Sequence, residues 1–590
     1  MIDKNNINSL YGGPFPSTRT GALFNAFSYP TKISPEAIAL FIACHTKPGE
    51  RIFDPFGGSG TTGIATKLCD NPTQAMLDLA EKTGSKPVWG PREAVIYELS
   101  PVASAIGATI CNTDPDNFSL YATDLLNQVE TDIKDLYRIK DDKGEVGTLR
   151  HIIWTDIIKC PNCKNAASYA DVAIHYNPIS FIDECTCHHC GASFKPESAE
   201  RVLTDSFDPI LGETVKCKSR APFKIYGTTG KRKWCRHATE EDYTQYQRII
   251  NSLNYSDVPK ERIKWGDLYR SGYHFGINYI HQLYSFRNAF VLSQLLKKVE
   301  SYPQDIQSAL KVFILSYNQS HSTLMTRVVA KKGNKDFVLT GAQSGVMYIS
   351  SLPVEKNIIE GLKRKIKTFR DAIYLVNKSQ SRVQFVNGSS INTILADNSI
   401  DYVFTDPPFG DYIPYSEINQ INEIWYGEKT NSTDEVIINH NQKKGTNEYS
   451  SLMTSVFSEV HRCLKTKGLC TVVFHSAKAE VWRSIITAYQ IAGLSILKTG
   501  ILDKVQASFK QVNSSITVKG DPLLLLTKST EIGQTNNIDD KIVAAKIIER
   551  HSHEANSKEK SEIMFSEFIG ECIEQGITIT LNANYFFKND

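Results

Sequence analysis

The sequence has no run of about 18 consecutive apolar residues, the length that a membrane-spanning helix needs. Its first residues, MIDKNNINSLYGG, lack the apolar core of a signal peptide. Its 66 basic and 64 acidic residues leave a net charge of only +2, so no overall field draws the chain to nucleic acid. We therefore expect a cytoplasmic protein without a membrane partner, in which any phosphate contact comes from local basic patches.

The 13 cysteines are an odd number, which argues against a disulfide framework in an intracellular chain. Cys160-x-x-Cys163 is followed after 23 residues by Cys187-x-x-Cys190. Two such knuckles bring four thiolates together, which predicts a closed, structural zinc site. The alternative is a set of reduced cysteines in a core. Cys185, His188 and His189 are alternative ligands for this site, and Cys217 with Cys235 could form half of another one.

The pattern of apolar runs and glycines before residue 112 predicts an α/β unit with a parallel sheet. Ser34 can cap a helix whose first turn suits Pro35. The predicted order is helix 35–45, strand 51–53, glycine loop 54–60, helix 61–68 and strand 94–97.

The same alternation resumes after residue 380. The predicted elements are strands 383–386 and 402–404, helix 448–464, strand 469–474, helix 480–491, and strands 495–501 and 522–527. Residues 29–112 and 380–528 therefore belong to one α/β domain, which a long insertion divides.

The first chemical motif is the segment from Phe53 to Thr62, FDPFGGSGTT. Glycines after a strand let the backbone approach a ligand, and the next helix offers free N–H groups. A phosphate loop is disfavoured because Ile64 stands where it needs lysine. Asp54 suits a cationic ligand such as a sulfonium, and Glu98 ends the next strand, where an acid binds ribose hydroxyls. The alternative is a structural glycine turn with a surface glutamate.

The second motif, Thr405-Asp406-Pro407-Pro408-Phe409-Gly410, directly follows an apolar strand. The two prolines fix φ and remove N–H donors, so their carbonyls point rigidly at a ligand. The Asp406 carboxylate and the Pro407 carbonyl would accept the two hydrogens of an exocyclic amine and localise its lone pair. Phe409 would stack on a base that is flipped out of the helix. The alternative is a proline-rich turn.

Together, DPFGGSGTT and TDPPF resemble the amino-methyltransferase family of DNA methylases. The stretches TDPPFGDYIPYSEI and VVFHS resemble a subgroup described as adenine-specific methylases that contain a zinc ribbon. The resemblance implies that S-adenosylmethionine contacts Tyr29, Pro30, Thr31, Lys32, Asp54, Phe56, Gly58, Gly60, Thr61, Thr62 and Glu98. It implies a catalytic role for Asp406, Pro407, Pro408 and Phe409, with Tyr412 and His475 as further candidates for lining the pocket.

The resemblance also implies an α/β fold: a doubly wound, Rossmann-like methyltransferase core split by an inserted zinc-ribbon and helical region. The expected parts are a cofactor half (1–112), a helical linker (113–150), the zinc ribbon (151–240), a helical target-recognition region (241–380), a catalytic half (381–528) and a helical tail (529–590). The implied activity is methyl transfer to N6 of adenine in DNA.

A role in restriction–modification or phage defence is further implied, with a cognate restriction or defence protein as a possible partner besides DNA. Three alternatives remain: an N4-cytosine DNA methyltransferase, an RNA amino-methyltransferase, and a catalytically inactive DNA-binding subunit. Cytosine C5 methylation is disfavoured because that chemistry needs a nucleophilic cysteine, usually after proline, and the sequence has no Pro-Cys dipeptide.

Basic residues cluster at three places, each of which is either a phosphate contact or simply a solvated face. The first cluster mixes charge with an aromatic residue. The three clusters are Lys231–His237, then Lys331 and Lys332 with Lys335, and Lys363–Lys365 with Lys367.

Overall fold

The computed structural model describes residues 4–17, 21–133, 135–270, 274–322, 325–341, 347–504, 520–529, 536–553 and 557–589. The chain forms two compact units. Unit 1 contains residues 1–115, 369–416 and 429–590, and unit 2 contains residues 116–368 and 417–428. The boundaries near residues 369 and 417 fall inside helices Ile358–Asn377 and Tyr415–Tyr426.

Unit 1 is built on an eight-stranded sheet. Its strands in chain order are β1 (Pro14–Ser17), β2 (Arg51–Asp54), β3 (Glu93–Glu98), β4 (Arg382–Asn387), β5 (Ile400–Thr405), β6 (Leu464–Val473), β7 (Leu494–Lys504) and β8 (Asp521–Lys528). Their order across the sheet is β4-β3-β2-β5-β6-β8-β7-β1.

The five adjacent strands β4, β3, β2, β5 and β6 are parallel to one another. Strand β8 is antiparallel to both β6 and β7, and β1 is parallel to β7. In the middle of the sheet, β2 and β5 pair with Ile52 opposite Tyr402 and Phe53 opposite Val403. The loops that follow β2 and β5 therefore leave the same edge of the sheet side by side.

Helices cover both faces of this sheet. Successive residues of a strand point to opposite faces. In β5, Phe404 contacts Phe41 at a ring-centroid distance of 5.6 Å, whereas Val403 lies in an apolar cluster with Phe457. The mixed α/β architecture predicted from the sequence is thus present. The helices are Lys4–Tyr11, Ala22–Asn25, Pro35–His45, Thr61–Leu68, Gln74–Thr83, Pro101–Asn112, Thr446–Cys463, Ala479–Ile491, Asp540–Arg550, Lys558–Glu574 and Asn584–Asn589, with a 3-10 turn at Ser432–Asp434.

The described residues after 536 pack into the main core of unit 1 instead of forming a separate extension. Phe565, Phe568, Ile569 and Phe586 are at most 1% exposed and lie in the same cluster as Val403. Phe565, Phe568 and Ile569 follow helical spacing, which places them on one face of their helix. The C-terminal helices therefore complete the core.

Unit 2 combines antiparallel sheets with helices. Its largest sheet runs in the order Arg232–His237, Arg220–Thr229, Val146–Lys159 and Val354–Lys356, and the long strand also pairs with Arg138–Lys140 and Ala166–Ser168. Two-stranded pairs are Leu203–Asp208 with Glu213–Lys218, Cys185–Thr186 with Ser193–Phe194, Ile174–His175 with Ser180–Phe181, and Arg327–Val329 with Val338–Thr340.

The helices of unit 2 are Pro115–Asp132, Tyr169–Ala173, Glu240–Asn251, Phe286–Val299, Gln304–Leu315 and Asn318–His321, with 3-10 turns at Pro196–Ser198 and Ile280–Leu283. In the part of the chain that the structure describes, no helix of either unit is both long and apolar enough to cross a bilayer.

Candidate active site

A buried carboxylate ties the two sequence motifs together. Asp54 is the last residue of β2 and is 3% exposed. Its Oδ1 accepts hydrogen bonds from the Thr405 hydroxyl at 2.8 Å and the Phe56 N–H at 3.0 Å. Its Oδ2 accepts one from the Thr62 hydroxyl at 2.6 Å. The glycine loop and the double-proline loop therefore meet through this one side chain, at the edge of the sheet where the sequence placed them.

The Asp54 carboxyl has a raised pKa. Burial raises this pKa from 3.8 to about 6, and the three donated hydrogen bonds only partly oppose the effect. A group whose pKa is higher in the folded state stabilises the fold below its unfolded pKa, and the stabilisation is lost as the pH rises through the folded value.

We therefore expect the unfolding free energy of the wild type, relative to Asp54→Asn, to fall by ~3 kcal/mol between about pH 4 and pH 7. Asparagine has no charge to bury. The difference in unfolding free energy between the two proteins therefore removes the pH dependence that comes from all other groups. Urea unfolding of both proteins across this range measures the difference. A difference that does not change with pH would contradict the assignment.

Removing the Thr405 hydroxyl should loosen the link between the loops. Thr405→Val keeps the shape of the side chain but takes one donor from a buried carboxylate, which should cost about 1–3 kcal/mol of unfolding free energy. The matched control is Thr66→Val, at another buried threonine, whose hydroxyl donates to the Thr62 carbonyl within its helix. Equal stability losses in the two variants, measured by urea unfolding, would show that the Asp54–Thr405 contact has no special weight.

Two glycines of the first loop have positive φ, 51° at Gly58 and 79° at Gly60. A side chain at Gly60 would place its Cβ 2.5 Å from the Cα of Gly107, so this glycine also allows close helix packing. At Gly58 the nearest atom to a Cβ would be a ring carbon of Tyr29, at 3.6 Å. Thr61, which follows Gly60, begins the buried helix behind the loop.

Glu98 lies at the end of β3, next to this loop. Its Oε2 accepts the Gly58 N–H at 2.7 Å, and its Oε1 accepts the Ser100 N–H at 2.8 Å. The Asn387 amide donates to the carbonyl oxygens of Glu98 and Leu99 at 3.0 and 3.1 Å. The acid predicted to bind ribose is thus held at the rim of the glycine loop by backbone amides.

The upstream segment Tyr29–Lys32 lies against both loops. The Tyr29 ring stacks on Tyr415 at a centroid distance of 6.1 Å, and the Thr31 and Tyr415 hydroxyls are 2.7 Å apart. Lys32 is 7% exposed, and its ammonium donates to the Leu23 carbonyl at 2.8 Å. Pro30 between them is buried. The structure therefore brings the predicted cofactor segment to the site, although the Lys32 ammonium is bound to backbone there.

In the double-proline motif, Pro407 is buried, and the Pro408 carbonyl accepts a hydrogen bond from the Tyr449 hydroxyl at 2.7 Å. Asp406 precedes them and is partly exposed. Desolvation raises the pKa of Tyr415, and the negative charge of Asp406 raises it further, which records the proximity of the two groups.

Phe409 is 8% exposed and sits in a cluster of rings. The rings of Tyr412, Phe474 and His475 lie at centroid distances of 6.0, 5.4 and 5.8 Å from it. The His475 Nδ1 is 3.1 Å from a carboxylate oxygen of Asp521. Both residues named from the sequence as further pocket candidates, Tyr412 and His475, therefore lie beside Phe409.

Sequence reasoning assigned no role to Thr405, Tyr415 or Tyr449, which position the loops through their hydroxyls. Thr405 and Tyr415 both lie in the stretch TDPPFGDYIPYSEI, which resembles a methylase subgroup. Their hydroxyls within that stretch could have marked them as candidates. Tyr449 lies on the helix Thr446–Cys463, and its sequence context resembles any amphipathic helix.

The four knuckle cysteines of unit 2 form a compact sulfur cluster. The sulfurs of Cys160, Cys163, Cys187 and Cys190 all lie within 4.8 Å of one another. The Cys160–Cys190 and Cys163–Cys187 separations are 3.8 and 3.7 Å. A tetrahedral zinc with Zn–S bonds of about 2.3 Å has sulfurs about 3.8 Å apart, so the donor set fits this metal.

The two knuckles share one backbone design. The N–H four residues after the first cysteine returns to its carbonyl, from Lys164 to Cys160 at 3.0 Å and from Gly191 to Cys187 at 2.9 Å. Lys164 and Gly191 both have positive φ, 61° and 72°. Among the described residues, no second group of three or more metal-binding side chains occurs, so Cys185, Cys217 and Cys235 join no such cluster.

Some of the cations in the predicted basic patches are paired within unit 2. Arg232 forms ion pairs with Asp141 and Asp142, and Arg236 binds Asp242. In the third patch, Lys363 lies 2.7 Å from a carboxylate oxygen of Glu130. These side chains hold the unit together, which reduces the charge they offer to a phosphate backbone.

The N-terminal part of the chain matches a known protein family. Residues 4–71 match a family described as DNA methylase, N6_N4_Mtase. The matched stretch contains Tyr29–Lys32 and the whole glycine loop, whereas the double-proline motif and the cysteine cluster lie outside it. No curated protein matches the chain. The match confirms the resemblance to DNA amino-methyltransferases, and this family covers both N6 and N4 methylation.

Proposed function

Taking the chain as a DNA methyltransferase on the strength of its N-terminal match, we propose that it transfers a methyl group from S-adenosylmethionine to N6 of adenine in DNA. The observation that carries this proposal is the meeting of the two loops through Asp54 and Thr405 at adjacent strands. Ligands of open α/β sheets bind outside the carboxyl ends of such strands. We propose that this sheet is the doubly wound, Rossmann-like core expected from the motifs.

The residues around the glycine loop fit S-adenosylmethionine. The loop offers backbone amides beside a helix N-terminus, the Tyr29 ring covers Gly58, and Glu98 supplies an acid at the end of β3. When bound, S-adenosylmethionine would supply an electrophilic methyl group. The half-buried Asp406 and the rim acid Glu98 give the site negative charge that favours a sulfonium.

The proposed catalytic groups act by holding the amine. An exocyclic amino nitrogen is a poor nucleophile because its lone pair is delocalised into the ring. The Asp406 carboxylate and the Pro407 carbonyl would accept its two hydrogens and localise the lone pair on nitrogen. Pro408 is fixed by Tyr449, which keeps the loop rigid. Phe409, Tyr412 and His475 would surround the flipped base.

We also propose that zinc occupies the four-sulfur cluster of unit 2 and has a structural role. The cluster has four protein ligands, so it leaves no open position for substrate, which is typical of a structural site. The knuckles would then order the strands around Val146–Lys159, as a zinc ribbon does.

The experiment that tests the proposed function is long-read sequencing of host DNA with and without this gene, combined with mass spectrometry of the nucleosides. N6-methyladenine that depends on the gene supports the proposal. If N4-methylcytosine appeared instead, the enzyme would be an N4-cytosine methyltransferase, because the same catalytic groups can act on that amino group. If purified protein bound DNA but transferred no labelled methyl to DNA or RNA, the enzyme assignment would fall. The sequence context of the marks would also test the proposed role in restriction–modification or defence.

A further inference from the structure

A short extended segment of unit 2 carries cations at alternate positions. Lys260, Arg262 and Lys264 are exposed, whereas Ile263 is 7% exposed and Glu261 is partly buried. This alternation is typical of a strand, in which successive side chains point to opposite faces. We call the row of Lys260, Arg262 and Lys264 the basic strip.

Backbone contacts hold the segment in its extended form. Arg262 pairs with Tyr279 in an antiparallel bridge, and the neighbouring Ile263 N–H donates to the Asn278 carbonyl at 2.9 Å. The Arg262 guanidinium lies over the Tyr279 ring, 5.0 Å from the ring centroid. Stacking uses the flat face of a guanidinium, so the N–H donors in its plane remain able to bind a phosphate.

Two side chains of the helix Tyr415–Tyr426, both within unit 2, fix the end of the segment. The Gln420 amide accepts the Lys264 N–H at 2.7 Å and donates to the Lys264 carbonyl at 3.0 Å. The Glu417 carboxylate accepts the Asp267 N–H at 2.9 Å. The basic strip is therefore preorganised, and its backbone needs no further ordering when a ligand binds.

The charge of the basic strip is not neutralised by acids of the protein. In the part of the chain that the structure describes, none of its three cations forms an ion pair with a carboxylate. Of the acids nearby in sequence, Asp257 pairs with Lys297 at 2.9 Å, Glu261 belongs to the opposite face, and Asp267 lies in the turn that follows. In the first predicted patch, by contrast, the arginines are paired with acids.

The spacing of the cations suits a regular polyanion. Alternate residues of a strand lie about 6.6 Å apart, so the basic strip presents three evenly spaced charges over about 13 Å. A DNA strand carries one phosphate per nucleotide, so an extended row of cations can contact separate phosphates along it. A single small anion would instead need donors that converge on one point.

We propose that the basic strip binds the phosphate backbone of the DNA that this enzyme methylates. The identity of the polyanion as DNA rests on the proposed function. Contacts to phosphates fix the position of a protein on the duplex and carry no sequence information directly. The basic strip would thus contribute to affinity for DNA of any sequence, and other residues would select the target.

Two triple variants of the full chain with the same loss of charge test the proposal. The strip variant replaces all three cations of the basic strip with glutamine. The matched control removes two lysines and one arginine from exposed positions elsewhere in unit 2, through Lys143→Gln, Lys216→Gln and Arg248→Gln. Because all six side chains are exposed, both variants should keep the melting temperature close to that of the wild type.

Fluorescence anisotropy measures binding to random-sequence duplex DNA between about 50 and 200 mM salt. Each lost phosphate contact makes the slope of log K against log salt shallower by about 0.9. The strip variant should therefore lose about 2.7 in slope, and at least about tenfold in affinity at low salt, whereas the control should keep the wild-type slope. Equal slopes for the two variants would overturn the proposal. A change confined to duplex RNA would refute DNA as the ligand.

A methyl-transfer assay keeps this result apart from the proposed function. In an active enzyme, the strip variant should raise KM for DNA by about tenfold while kcat and S-adenosylmethionine affinity stay unchanged. If the wild type transferred no methyl group but the strip variant still bound DNA with a shallower slope than the control, the basic strip would stand and the methyltransferase proposal would fail. An active strip variant with the wild-type KM for DNA would remove only the basic strip.

Discussion

Asp406→Asn should lower the rate of methyl transfer by a factor of about 10²–10³ or more while leaving S-adenosylmethionine affinity within a few-fold of the wild type. The substitution keeps the shape of the side chain but removes its charge and replaces one acceptor with a donor. The amine would then lose the group that localises its lone pair. The glycine loop should keep its geometry, because Asp54 is held by Thr62 and Phe56 as well as by Thr405.

Single-turnover transfer of a labelled methyl group measures the chemical step, and calorimetry measures cofactor binding. The matched control is Asp411→Asn, five residues further along the same loop, where the side chain is 46% exposed and pairs with Lys478. An active Asp406→Asn enzyme, or one that has lost cofactor binding together with its activity, would refute the catalytic assignment. A large loss of methyl transfer in Asp411→Asn would mean that activity depends on the conformation of the whole loop and not on Asp406 alone.

Cys160→Ser should abolish zinc binding and destabilise unit 2. A structural zinc contributes about 10–16 kcal/mol of apparent binding energy in zinc-finger peptides, and that energy is folding energy. Unit 2 has a larger core of its own, so we expect a loss of several kcal/mol, seen as a lower melting temperature and earlier proteolysis within residues 151–240.

Elemental analysis should give one zinc per wild-type chain and none in Cys160→Ser. Cys185→Ser is the matched control, because Cys185 is buried in the same region but lies outside the four-sulfur group. Zinc retained by Cys160→Ser would disprove the ligand set. Zinc lost from Cys185→Ser as well would mean that the fourth ligand had been assigned wrongly.

Local signals allowed the sequence to predict single elements closely. The helix Pro35–His45 begins as expected because Ser34 caps it, accepting the Ala37 N–H, and Pro35 suits the first turn. Strand β6 begins at Leu464, earlier than the predicted residue 469. Residues 465–467, which follow the buried Leu464, are exposed and polar, so hydrophobic patterning could not reveal this part of the strand.

The assembly of the site depended on the motifs and not on local patterns. Asp54 and Thr405 are 351 residues apart, and Thr31 and Tyr415 are 384 apart. Hydrophobic periodicity cannot predict contacts between residues so far apart in sequence. They were expected only because both motifs were predicted to follow strands of one sheet. The hydroxyls of Thr405 and Tyr415 escaped notice because their partners are distant in sequence.

The split of the sheet has a consequence for synthesis on the ribosome. Strand β2 pairs with β3 soon after both emerge, but its other edge must wait for β5. At about 5–20 residues per second, the 351 residues between Asp54 and Thr405 take on the order of 20–70 s to translate. During that interval strand β2, which is apolar and buried in the folded sheet, has one unpaired edge. Such an exposed edge is prone to wrong pairing. Because of this order of segments along the chain, we expect a chaperone that covers the nascent N-terminal half to raise the yield of folded protein.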